Sequence, residues 1–232
     1  MNAIAGRVAL VTGGSSGIGA ACARELASRG AAVLATGRRF TRGTRGTVGP
    51  LIAGQVASAH LDVTDEAEVK SVFAALPEIS ILVFSAGDGA FGPLIDADVA
   101  ALRAMLDVHV IGAMVCAREA LRAMQRRRAG HIVVIGSHAA HHAFTDCGGY
   151  TAAKAGQLGL TRVLAAEARP HDVRVTAVLP GATDTPIWDD RPGFDRSKML
   201  RPEAVASFVA SILERPEIAV DEVTLTPPAG VL

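Results

Sequence analysis

Aromatic residues are scarce in this 232-residue chain: they make up 4% of it, although half of it is apolar. The apolar excess is Ala, Val, Leu and Gly, whose small side chains suit close packing of helices on a sheet. Net charge is missing too, 23 Lys and Arg balancing 23 Asp and Glu. Bulk charge therefore gives no reason to expect a nucleic acid or an anionic membrane as partner. Cysteine is sparse. Cys22, Cys116 and Cys147 form an odd, scattered set, which points to reduced thiols and a cytoplasmic setting. Cys147 lies near Tyr150 and is either a reactive thiol or, more commonly for a free cysteine, an inert one. No apolar run reaches transmembrane length, and the N-terminus passes almost at once into a strand pattern, leaving no room for a signal peptide. Internal repeats and linkers are absent, so one domain over 1–232 is expected, ample for a sizeable core.

What is present is an alternation. Apolar strand patterns at 7–12, Ala32–Thr36, 56–61, Ile79–Phe84, 132–135, 173–179 and 223–226 are separated by helical patterns. The helices are expected at 20–28, from a Thr64 or Asp65 cap to residue 75, at 97–128, from Tyr150 onward and at Pro202–Leu213. Strands alternating with helices predict an α/β fold with a parallel, doubly wound sheet of about seven strands. Residues 41–50 carry Gly43, Gly46, Gly49 and Pro50, which undermines a helix, so a mobile loop is expected there.

The first strand runs into Thr12-Gly13-Gly14-Ser15-Ser16-Gly17-Ile18-Gly19, and a helix follows. Strand, glycine turn and helix together favour a phosphate site over a plain tight turn. The second strand ends in Gly37-Arg38-Arg39 with no acidic residue. An acid there would hold a ribose 2′-hydroxyl, whereas guanidinium suits a 2′-phosphate, so NADP(H) is expected ahead of NAD(H). Arg42 and Arg45 read as solvated loop charges.

The chemistry centres on Ser137, Tyr150 and Lys154. Tyr150 and Lys154 are four residues apart and share a face if Tyr150 opens a helix. An ammonium one turn away favours the phenolate and brings the phenol's proton within reach of neutral pH. Ser137 ends a buried strand pattern, at the edge where open α/β sheets bind ligands. One hydroxyl can hold a carbonyl oxygen while a tuned phenol gives it a proton. His138, His141 and His142 lack neighbouring acids or thiols at ligand spacing, so no metal is expected; they line the pocket rim or face solvent. Residues 183–200, including Trp188, have no periodicity and read as a substrate lid or a disordered surface loop.

In this order the motifs are specific, and the chain resembles, end to end, the compact single-domain short-chain dehydrogenases/reductases. Gly13, Ser15, Ser16, Gly17, Ile18 and Gly19 look like that family's cofactor turn, and Ser137, Tyr150 and Lys154 match its catalytic Ser, Tyr and Lys. Asp62 and Val63 look like the pair beside the adenine, Ala86 and Gly87 like the turn after the fourth strand. Pro180, Gly181, Thr183 and Thr185 are similar to the nicotinamide-side loop. The resemblance implies hydride transfer between a nicotinamide and a carbonyl or alcohol, and a homodimer or homotetramer built through 97–128 and the Tyr150 helix. It also implies that Lys154 binds the nicotinamide ribose. Two positions depart. Phe84-Ser85 replaces the family's paired Asn, the first of which stabilises the central sheet. His109 replaces its catalytic Asn, which holds water in a proton relay. His109 either substitutes in that relay or is a packed histidine beside a broken one. A cofactor-binding protein without turnover is the alternative reading. Pocket shape rests on 91–95, the histidine loop and the Trp188 segment.

Overall fold

Seven apolar runs become seven parallel strands of one sheet. The computed structural model describes residues 3–41, 50–191 and 193–230. The strands are β1 (Val8–Thr12), β2 (Ala32–Thr36), β3 (Val56–Ala59), β4 (Ile79–Phe84), β5 (Gly130–Ile135), β6 (Val173–Pro180) and β7 (Glu222–Leu225). Their order is β3-β2-β1-β4-β5-β6-β7, so β1 has both β2 and β4 as neighbours. The winding reverses there, and crossovers leave to opposite faces and open a crevice at the strands' C-terminal ends. The glycine-rich loop expected after β2, with Arg42 and Arg45, falls on 42–49 and lies outside the described residues.

Helices cover both faces of the sheet, which is why β2 and β4 are buried throughout and read as continuous apolar runs. Helices α1 (Gly17–Ser28) and α6 (Pro202–Leu213) cover Val11, Val33, Val83 and Val133. Helices α2 (Glu66–Ala74) and α4 (Ala113–Arg127) cover the opposite face, over Leu10, Leu34, Leu82 and Ile132. Adjacent residues such as Leu10 and Val11 therefore serve different cores. Asp65 caps α2, its side chain accepting from the Ala67 and Glu68 N–H groups. Cys22 and Cys116 are free thiols in the two cores, and burial pushes each up to about 12.

The helix expected over 97–128 is real but interrupted. Helix α3 (Val99–Leu106) enters a π turn, Asp107–Gly112, before α4 begins. One inserted residue widens the turn, and apolar periodicity does not register it. The whole stretch Val99–Arg127 contains an 18-residue window of mean hydropathy 1.7, apolar and long enough to span a membrane by composition. That corrects the expectation that nothing reaches such a length: Arg103, Asp107 and His109 break the run without making the helix polar on average. Val115, Cys116, Ala120 and Met124 of this helix pack into the sheet's core. Helix α5 (Gly148–Ala168) lies beside it and brings Tyr150 and Lys154 to the crevice.

Candidate active site

The C-terminal ends of the central strands open into one cavity of about 980 Å³. At one end is the glycine turn after β1. Gly13 has φ +66°, and a Cβ there would stand 2.6 Å from the Ser85 carbonyl oxygen, so only glycine fits. Gly13, Ser15, Ser16, Gly17 and Ile18 line the cavity. Gly19 lies just behind them. A side chain on it would collide with the Gly13 carbonyl, so its smallness lets α1 start tight against the turn. Helix α1 begins at Gly17 rather than at residue 20, and its first residues, Gly17 and Ile18, line the cavity.

Arg38 and Arg39 follow β2 and line the same end. Arg39 Nε donates to Ser15 Oγ at 3.1 Å, and its guanidinium also donates to Ser16 Oγ. Arg38 stays 61% exposed, 3.9 Å from the Asp88 carboxylate. Asp62 and Val63 form the side wall. Burial opposes the charge of Asp62, but hydrogen bonds from the Thr64 N–H and hydroxyl, with the Arg38 and His60 charges, hold its carboxyl below the usual range.

Ala86 and Gly87 lie on the floor after β4. Here the structure supplies what Phe84 and Ser85 lack as replacements for asparagine. The Thr12 hydroxyl accepts from the Ser85 N–H at 3.1 Å and the Ala86 N–H at 3.2 Å, tying the ends of β1 and β4 together. Phe84 itself is fully buried in the core. Pro180, Gly181, Thr183 and Thr185 also line the cavity.

Ser137, Tyr150, Lys154 and His109 meet in the middle of the cavity wall. Ser137 ends β5's exit and caps a short turn, its Oγ accepting from the Ala139 N–H at 3.1 Å. Lys154 is buried. Its Nζ donates to the Ile135 carbonyl and to Gln157 Oε1, each at 3.1 Å, and lies 5.8 Å from the Tyr150 ring centroid. Burial pushes the ammonium down to about 7. Burial works against the acidified phenol that the Tyr150–Lys154 spacing suggests. Burial pushes Tyr150 up, and the opposing influences are the Ser137 hydroxyl and the Arg191 charge. Spacing in sequence reveals neighbours but not the loss of water around them, and that loss dominates here.

His109 sits in the π turn, 1% exposed, its ring edge-on to Tyr150 with centroids 5.8 Å apart. Nε2 is 2.7 Å from the Asp88 carbonyl, while Nδ1 has no hydrogen-bond partner among the described residues. Burial, then the Lys154 charge, pushes this histidine down to about 3, so it is neutral at ordinary pH. His138 lines the cavity, whereas His141 Nε2 turns away to Glu222 at 2.5 Å. Among the described residues no group of three His, Cys, Asp or Glu side chains is placed to hold a metal ion. Cys147 lines the cavity with its thiol raised by burial, partly offset by Arg191, which suits an inert thiol.

Residues 183–200 are an ordered flap in their described part. A parallel bridge between Thr183 and Leu200 closes its base, Trp188 Nε1 donates to the Thr183 carbonyl, and Arg196 pairs with Asp184 and Asp189. Three contributors escaped the sequence reading. Thr12 and Gln157 act through hydrogen bonds that no spacing rule announces, although Gln157 lies three residues after Lys154 and so on its face. Arg191 comes from a stretch without periodicity.

A family model described as short chain dehydrogenase matches residues 7–193. Cis-4-hydroxycyclohexanecarboxylate dehydrogenase of Sinomonas cyclohexanicum is 38% identical, over 90% of this chain and 89% of that protein. Among solved structures, a short chain dehydrogenase/reductase family protein superposes with TM-score 0.85 at 33% identity, over 97% of both chains. A short chain dehydrogenase from Burkholderia cenocepacia in complex with NADP gives TM-score 0.81 at 30% identity, over 96% of this chain and 89% of that one.

Proposed function

Because the chain belongs to the short-chain dehydrogenase/reductase family, we propose that it is an NADP(H)-dependent oxidoreductase interconverting a carbonyl and an alcohol, with Tyr150 as its general acid and base. The observation that carries this is the meeting of Ser137, Tyr150 and Lys154 in the same cavity as the glycine turn and the two arginines. The cradle suits a dinucleotide: a side chain at Gly13 would fill it, and Arg38, Arg39 and the α1 N-terminus gather positive charge where phosphates belong. Bound there, NADP(H) gives or takes the hydride. Arg38, free of any carboxylate closer than 3.9 Å, is the residue to meet a 2′-phosphate. The relative solved with NADP supports the same preference.

On the protein's side, the Ser137 and Tyr150 hydroxyls donate to the substrate oxygen. Tyr150, a phenol protonated at ordinary pH, gives its proton during reduction and recovers it from the alcohol during oxidation. The phenolate left after proton donation is stabilised by the Lys154 ammonium and, from the flap side, by the Arg191 charge. Neutral His109 takes the place of the family's asparagine, its free Nδ1 offered to the water that returns protons through Lys154. The flap serves as the substrate lid. A homo-oligomer through the 97–128 stretch and α5 is part of the proposal, supported by the exposure of Ile111 in the π turn, Met114 on α4 and Val163 on α5. The relative from Sinomonas, named for a hydroxycyclohexanecarboxylate, makes a ring alcohol or cyclic ketone, with and without a carboxylate, the first substrates to try.

The test is binding and turnover together. Titration should show NADPH binding more tightly than NADH, and a panel of cyclic ketones should be reduced with NADPH consumed. Tight NADPH binding with no turnover of any aldehyde, ketone or quinone would overturn the reading.

A further inference from the structure

Arg191 lines the cavity on the side of Phe91 and Tyr150, and among the described residues it has no counter-ion. The Arg191 guanidinium carbon lies 3.0 Å from the Phe91 ring centroid and 5.3 Å from that of Trp188. Phe91 in turn stacks on Tyr150 with centroids 5.3 Å apart. The guanidinium is thus within about 8 Å of the proton-donating ring, one aromatic layer away. Burial pushes it down, while Cys147, Tyr150 and Asp146 are close enough to pull it back up. Yet its side chain makes no hydrogen bond and no ion pair with any described residue, although Asp146 is near. Many other arginines of the described chain meet a carboxylate or a carbonyl, among them Arg29, Arg118, Arg162, Arg169, Arg174 and Arg196.

A guanidinium flat against an aromatic ring has its face occupied and its edge free. The free edge carries N–H donors in the fork that fits a planar two-oxygen acceptor. Around it the pocket is apolar and aromatic, with Phe91, Phe144, Trp188 and Phe194 in the lining. Beside such walls a half-buried cation without an ion pair among the described residues is a ready partner for an anion. We infer that the substrate carries a carboxylate several bonds from its reacting carbonyl or hydroxyl carbon, and that Arg191 receives that carboxylate. This rests on the oxidoreductase reading and names the substrate class of the same site. A carboxylate fits better than a phosphate monoester, which would bring nearly two charges to a single cation. Because Arg191 rides on the flap, carboxylate binding also pulls the flap toward Tyr150 and joins recognition to closure.

The experiment compares 4-oxocyclohexanecarboxylate with its methyl ester and with cyclohexanone, each reduced by NADPH, in wild type, Arg191→Gln and Arg191→Lys. The acid should exceed the ester in kcat/KM by about 10- to 100-fold, chiefly through KM. In Arg191→Gln the acid-to-ester ratio should fall close to one, and Arg191→Lys should keep part of it, having the charge without the fork. Equal use of acid and ester by wild type sinks the inference while leaving the oxidoreductase reading standing. So does an unchanged ratio in Arg191→Gln, or a variant whose only defect is weaker NADPH binding. If none of the three compounds is reduced, the lone tryptophan reports instead, since Trp188 lies beside Arg191. With NADP(H) present, a saturable fluorescence change with the acid, absent with the ester and lost in Arg191→Gln, supports the carboxylate site and counts against reduction. No saturable change with the acid overturns the inference.

Discussion

Two histidines lie at opposite ends of the sheet in almost the same electrostatic state. His109, beside the cavity, and His131, on β5 near the strands' N-terminal edge, are both buried, and burial pushes each down to about 3. Each has an Nδ1 without a partner among the described residues. Their surroundings differ. His131 Nε2 meets the Thr176 hydroxyl at 2.8 Å, and that hydroxyl donates to the Val220 carbonyl, so the ring joins neighbouring strands in a sealed core. His109 instead meets a loop carbonyl, packs edge-on against Tyr150 and lies in the cavity wall. A displaced titration therefore does not mark function by itself; access to a ligand does. The cavity edge should govern rate and the opposite edge should govern stability.

The largest effect expected is at the cavity edge. Tyr150→Phe should lower turnover by about 10³-fold or more while leaving NADPH affinity and the melting temperature nearly unchanged. Residual turnover near wild type would break the comparison at its strongest point. At the other edge, His131→Ala should cost about 2–4 kcal/mol in urea unfolding, through a cavity and an abandoned Thr176 hydroxyl. The kcat of the folded fraction should stay within about twofold of wild type, because no cavity residue is touched.

A smaller effect separates the buried lysine from the phenol. Reduction should slow as pH rises through about 7, because that is where the Lys154 ammonium is lost. Gln157 accepts from that ammonium and favours its charged form. Gln157→Leu should therefore move the alkaline limb of kcat/KM to lower pH, by about half a unit to one unit. A limb that stays in place would show that Gln157 only packs.

The smallest effect concerns the two histidines together. Their folded values lie below the ordinary histidine value of 6.5, so between about 6.5 and 3 the unfolded chain binds more protons. Stability is then fully present above about 6.5 and is lost as pH falls toward 3. His109→Asn and His131→Asn should each flatten that slope by a similar share, seen in urea midpoints between pH 7 and 4. Only His109→Asn should also change the pH–rate profile. Unchanged rates and profile in that variant would remove His109 from the chemistry.

Much of this was legible in the sequence, for identifiable reasons. Strands covered on both faces show as unbroken apolar runs, so Ala32–Thr36 and Ile79–Phe84 can be read to the residue. The Tyr150–Lys154 spacing places both on one helix face, and the glycine turn is set by backbone geometry that only glycine allows at Gly13. Other features leave no such trace. The π turn adds one residue to a helix whose periodicity continues on either side. Thr12 does a job that the family resemblance assigns to the residue at position 84, and it does so from another strand. The state of Tyr150 depends on solvent exclusion, which is a property of the assembled wall. Arg191 sits in a stretch whose shape comes from Arg196, Trp188 and the Thr183–Leu200 bridge rather than from any repeating pattern.

That bridge has a practical consequence. By fastening both ends of the flap to each other, it fixes where the loop between them starts and ends. Thr185 and Pro186 lie against Gly17 and Arg191 lies over Phe91, so an exchange of residues in this loop should be felt at the glycine turn and beside Tyr150 as well as in which molecules fit.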